Sequence, residues 1–253
     1  MRLAAEILLR PVLAAIGVLA IIWCALTLPI FWRSYAIEYV SSQILRGIPY
    51  TSSSLAEMLP AIDALKSEGA DCAPRALHGA AIIQLHIMEE GFSSDQLPQL
   101  DQRTAAVTDA IRRSLACAPA DPFLWMVLYS VESARNGFRQ QYLDYIRESY
   151  RLGPREAWIS VRRNRAVLAI YPMLPPDIAE MALAEFADLV QNRLYDESAD
   201  ILLSAGWNIR DRLLSQLDTV GERERKAFAE SLYAKGVNLD IPGIAPPGAR
   251  PWR

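Results

Sequence analysis

Residues 110–119 read AIRRSLACAP and residues 145–154 read YIRESYRLGP. Ile111/Ile146, Arg112/Arg147, Ser114/Ser149 and Pro119/Pro154 are identical pairs, each 35 residues apart. A tryptophan follows each proline within two turns, Trp125 and Trp158. In both copies apolar residues recur at helical spacing, and a proline then stops the helix because it lacks an N–H and fixes φ. A duplicated helix–turn unit implies stacking, because one helical pair cannot bury its apolar face alone.

Working outward, the same punctuation recurs. Thr51-Ser52-Ser53-Ser54 is a break and an N-cap for SLAEMLPAIDALKSEG. Further helices are expected over Pro74–Glu90, Asp95–Cys117, Pro122–Asn136, Phe138–Leu152, Pro154–Ile170, Pro176–Arg193, Asp196–Leu217 and Glu222–Lys235. Gly91, Gly137, Gly153, Pro172 and Gly236 stand at their ends. No stretch alternates apolar and polar residues, so no sheet is expected.

A repeat of this period built from helix–turn–helix units resembles the tetratricopeptide-repeat (TPR) family. On that resemblance Trp125 and Leu128 take first-helix packing positions, and Asn136-Gly137-Phe138 makes the turn. Ser149 takes the small-residue position of the second helix, and Pro154 closes the unit. Tyr195-Asp196-Glu197-Ser198, with Ala205 seven residues after Ser198, is a weaker echo. The resemblance covers residues 104–206. Glu132 departs from the pattern, standing where a first-helix aromatic is usual, and the spacing to Trp158 is two residues short. The fold class it implies is an all-α, TPR-like array of antiparallel helical hairpins, and the function a scaffold whose concave face holds peptides or helices of partner proteins. Membrane-anchored proteins of this kind occur in bacterial polysaccharide and envelope-biogenesis systems, which makes other envelope proteins the expected partners.

The anchor is read from the residues themselves. Residues 11–32, PVLAAIGVLAIIWCALTLPIFW, carry no charge. As a helix they span about 33 Å, enough for a hydrocarbon core of about 30 Å. The run is longer than a cleaved signal's apolar region, and Ser34-Tyr35-Ala36 is a poor cleavage site. Trp23 before Cys24 also excludes a lipoprotein signal. Phe31, Trp32 and Tyr35 form an aromatic rim. Arg2 and Arg10 nearly balance Arg33 and Arg46, so charge alone does not orient the helix. The short N-terminal flank favours its staying inside, with the domain in the periplasm and the anchor in a bacterial inner membrane. The expected organisation is a flank over 1–10, a transmembrane helix over 11–32, a helical stalk over 33–50, a helical domain over 51–236 and a Pro/Gly-rich tail over 237–253. The tail, IPGIAPPGARPWR, cannot continue a helix; Trp252 docks on the domain or a partner, or the terminus is disordered.

The net charge of −3 argues against sequence-independent nucleic-acid binding, which works by neutralising phosphates. The residues show no nucleophile elbow, no phosphate loop and no HExxH, so neither a catalytic centre nor a cofactor is expected. The two histidines, His78 and His86, are eight residues apart, about 80° around a helix, and do not stack as paired metal ligands. Cys72 and Cys117 lie at expected helix ends, either as a disulfide or as two buried thiols. The densest polar feature is Arg147, Arg151, Arg155, Arg162, Arg163 and Arg165, with Tyr145, Tyr150 and Trp158 among them. Two readings stay open: a patch for an anionic glycan or lipid, or surface ion pairs with Asp144, Glu148 and Glu156.

Overall fold

The computed structural model describes residues 2–67, 72–93 and 97–245; for residues 2–10, 29–33, 66–67, 91–93 and 97–100 it describes the backbone alone. Every regular element among the described residues is helical. The chain forms two compact units, residues 1–119 and 120–253, so the helical region expected over 51–236 divides between them.

In the first unit α1 runs unbroken over Arg2–Leu45, about 66 Å at 1.5 Å per residue. Its segment Pro11–Leu28 has a mean hydropathy of 2.4, and none of it is buried. Beyond that, α1 packs on α4 (Pro74–Ser93) through Ile37, Val40, Ser41 and Ile44. The two helices run parallel. Ile37 and Ser41 meet Gly79 early in α4, whereas Tyr50 and Ser52, past the end of α1, bond to His86 and Glu90 near its end. α5 (Leu97–Cys117) returns along α4, and the Cys72–Cys117 disulfide closes the base of this hairpin.

Gly79 permits the close approach of α1. A Cβ there would stand 2.9 Å from Ser41 Oγ and 3.1 Å from the Ile37 carbonyl oxygen. Gly79→Val is therefore expected to lower stability by about 1–3 kcal/mol through overpacking, read from thermal unfolding of the full chain. An unchanged melting temperature would mean that α1 and α4 are not in this contact.

The helix expected from Thr51 onward does begin there, with Thr51 Oγ1 accepting from Ser54 N at 3.3 Å. It breaks into α2 (Ser52–Ala56) and α3 (Leu59–Ser67). Pro60 is the cause: it has no N–H to offer the Ala56 carbonyl, and its ring would clash there. Leu55, Ile62, Ala80, Ile83 and Ile87 bury together with Ile37.

The second unit begins with α6 (Pro122–Asn136), whose start is fixed by Asp121 accepting from Leu124 N at 3.0 Å and by Pro122 at the first turn. α7 (Leu143–Leu152) starts later than Phe138 and is preceded by a 3₁₀ turn at Gln140–Tyr142. α6 and α7 form a helical hairpin, followed by α8 (Ala157–Leu168) and α9 (Pro176–Gln191). The helix expected over Asp196–Leu217 is two, α10 (Tyr195–Leu203) and α11 (Arg210–Gln216). Gly206 sits at the break, where a Cβ would be 2.6 Å from Leu213 Cδ1. α12 (Glu222–Ala234) completes the core, its Phe228 meeting Phe186 edge-on at 6.0 Å. After α12 the chain stays on the unit: Ile241 is buried, and Arg225 Nη1 donates to the Pro242 carbonyl at 2.5 Å. Trp252 lies outside the described residues.

Candidate functional site

The six arginines gathered by sequence fall into three environments. Arg163 is the correction: it does not belong to a surface patch. It is 0 % exposed and lies on the inward stripe of α8 with Ile159 and Val167. Its Nε donates to Glu185 Oε1 of α9 at 3.0 Å, and its Nη1 to the Ser149 carbonyl at 2.7 Å and to Ser149 Oγ at 2.9 Å. Its Nη2 donates to the Gly153 carbonyl at 3.0 Å and to Glu185 Oε1 at 2.5 Å. Tyr150 lies under the guanidinium at 4.0 Å and donates its hydroxyl to Glu185 Oε2 at 3.0 Å. Ser149, fully buried, also donates to the Pro122 carbonyl at 2.8 Å, which ties α7 to the start of α6. Burial pushes the Glu185 carboxyl above its ordinary value, with Arg163 opposing. Burial and then the Glu185 charge push the Tyr150 hydroxyl well up. The network is a structural tie across α7, α8 and α9.

Arg147 and Arg151 are exposed to a greater degree but answered by carboxylates. Arg147 pairs with Asp144 at 2.7 Å and Asp177 at 2.8 Å, and Arg151 with Glu148 at 2.5 Å. The Arg147 guanidinium accordingly holds the Asp177 carboxyl below its usual range. A shallow cleft of about 280 Å³ lies beside them, between α7 and α9.

Arg155, Arg162 and Arg165 form the third group. All are exposed, and among the described residues no carboxylate pairs with them. Trp158, 44 % exposed, stands with them; its ring lies 4.8 Å from that of Phe123, and the Arg162 guanidinium is 5.8 Å from its centroid. Tyr145, placed by sequence among the arginines, stacks instead between Trp125 and Tyr142 at 5.7 and 6.0 Å.

The first unit holds a larger cavity of about 570 Å³ that no sequence motif announces. Ser52, Leu59, Asp63, Gln84, Ile87 and Arg103 are among its walls. Gln84 is buried, and among the described residues its Oε1 has no hydrogen-bond partner. The lining comes from four helices, so no local signal marks it. His86 is engaged structurally, its Nε2 3.0 Å from the Tyr50 carbonyl. Among the described residues no group of three His, Cys, Asp or Glu side chains is arranged to hold a metal ion. Cys72 and Cys117 are joined, with Cα atoms 5.4 Å apart.

Compared with protein-family models, curated proteins and solved structures, the chain matches none.

Proposed function

We propose that the chain is a membrane-anchored helical scaffold, a protein–protein interaction module of a bacterial envelope assembly. The observation that carries this reading is the bare apolar segment of α1. Eighteen successive residues, Pro11–Leu28, offer their side chains to the surroundings, and no other described part of the chain covers them. At about 25 cal/mol per Å² such a surface is costly in water and favourable in lipid. A disulfide between Cys72 and Cys117 in the same unit supports a domain on the oxidising side, the periplasm of a bacterial inner membrane. The α6–α7 hairpin, with Ser149 buried at its contact, supports a TPR-like arrangement, and with it partner binding in envelope or polysaccharide biosynthesis.

Two measurements test it. Alkaline carbonate should leave the full chain in the membrane pellet and release a chain begun at Ser34; release of both sinks the anchor. Crosslinking in intact membranes should then give envelope-protein adducts that a 1–50 control lacks. Identical adducts for the two would remove the scaffold role while leaving the anchor intact.

A further inference from the structure

α8 turns outward a cationic stripe that no carboxylate among the described residues answers. Trp158, Arg162 and Arg165 follow one another at spacings of four and three, which puts them on one helix face, and Arg155 precedes them just before the helix. All four are exposed. The neighbouring arginines show what this fold does with a guanidinium that has a structural role: Arg147, Arg151 and Arg163 are each held by a carboxylate. Among the described residues, Arg155, Arg162 and Arg165 are not, in a chain whose net charge is −3. The stripe is also partly ordered in advance. Arg162 Nη1 donates to the Trp158 carbonyl at 3.3 Å, and Trp158 rests on Phe123.

We propose that this face binds an acidic polysaccharide, a polymer that carries carboxylates on recurring sugars. Three guanidiniums along one stripe suit a ligand whose charges recur. By helix rise, Arg162 and Arg165 are about 4.5 Å apart along the axis. Each guanidinium can take a carboxylate through two parallel N–H···O bonds, and the partly exposed Trp158 indole offers apolar surface to the C–H face of a sugar ring. A lipid surface fits less well. Binding at a bilayer calls for apolar side chains that stand clear of the basic ones, and the aromatic in this stripe is already packed against Phe123. This inference is independent of the scaffold reading, because it rests on Arg155 and the outward face of α8.

The test uses the full chain in phosphatidylcholine nanodiscs, with fluorescent polygalacturonate as the probe and dextran as the neutral control. Polygalacturonate should bind and dextran should not, and salt should weaken the binding because exposed charges are screened. The Arg155→Ala/Arg162→Ala/Arg165→Ala variant should lose about tenfold in affinity, the scale set by three exposed charge contacts. Arg147→Ala/Arg151→Ala removes two guanidiniums from the same region and should leave binding within about twofold. Arg155, Arg162 and Arg165 are exposed, so the triple variant should keep the parent's circular dichroism and melting temperature; the control variant loses the Arg147–Asp177 pair between α7 and α9 and is assayed well below its own melting temperature. The proposal is overturned by absence of polygalacturonate binding or by equal losses in the two variants. It is also overturned if the stripe captures phosphatidylglycerol nanodiscs or poly-glutamate while ignoring polygalacturonate.

Discussion

Arg163→Ala should destabilise the second unit by about 3–5 kcal/mol, the usual cost of removing one partner from a buried ion pair. The site explains why the effect is large. Arg163 and Glu185 are both nearly inaccessible, with side-chain exposures of 0 % and 4 %. Alanine leaves the Glu185 carboxylate without its cation and the Gly153 carbonyl without its guanidinium donor, while the Ser149 carbonyl keeps only the Gly153 N–H. Each orphaned buried acceptor costs about 1–3 kcal/mol on its own. Glu185 has one escape, which is to take up a proton. Burial already pushes its carboxyl above the ordinary value, and Arg163 is the main influence opposing that. In the variant the folded-state value rises further above the unfolded one. Stability then falls as pH climbs from the ordinary carboxylate range through the raised value and levels off beyond it. The loss relative to the parent should accordingly be smaller near pH 5 than near pH 8. Glu185→Gln should also be destabilising, because it strands the guanidinium. Arg163→Met/Glu185→Leu should recover part of the loss, since an apolar pair avoids desolvating two charges, while the Gly153 carbonyl and the Tyr150 hydroxyl still lack their partners. Chemical denaturation followed by circular dichroism measures all three. A cost below about 1 kcal/mol for Arg163→Ala would mean that the guanidinium sits in water.

That pair is legible in the sequence through helical phase, not through nearness along the chain. Nearness puts Arg163 with Arg162 and Arg165. Phase separates them: Arg163 falls four residues after Ile159 and four before Val167, in the buried stripe of α8. Glu185 likewise stands in the buried stripe of α9, with Ile178, Ala182 and Leu189. Two opposite charges, each on an inward phase of its own helix, mark a buried pair, because neither charge is tolerable there alone. Phase also sets Trp158, Arg162 and Arg165 apart as an outward stripe.

The helix borders show where legibility ends. α6 is legible to the residue, because Asp121, Pro122 and Gly137 are local signals that need no tertiary context. The break between α2 and α3 is legible too, since Pro60 forbids the intervening hydrogen bond, and a single helix over that stretch overlooks the constraint. The break between α10 and α11 is not. Ser204-Ala205-Gly206 is compatible with a helix, and what bends the chain is the seat of Gly206 against Leu213. The 570 Å³ cavity in the first unit is illegible for a related reason. Its walls come from α2, α3, α4 and α5, and no sequence window contains them together.

Opening the Cys72–Cys117 bond should lower the stability of the first unit by roughly 3–4 kcal/mol, the chain-entropy value for a loop of about 45 residues. The bond joins the segment just before α4 to the last residue of α5, the two ends that an antiparallel hairpin brings together. Once it is cut, buried side chains such as Ala76 and Leu115 remain near that base. Cys24, the remaining cysteine, lies in the apolar segment and should be replaced by serine in every variant compared, so that no new pairing confuses the result. In that background Cys72→Ser and Cys117→Ser should destabilise equally, and the double variant should be no worse than either single one, because one crosslink is being lost in each case. Maleimide–polyethylene glycol applied to denatured membranes supplies the second measurement. Without reductant the chain should take up no label, and after reduction it should take up two. Two labels before reduction would show free thiols in the native protein. That outcome would remove both the stabilisation and the support the bond gives to a domain on the oxidising side of the membrane.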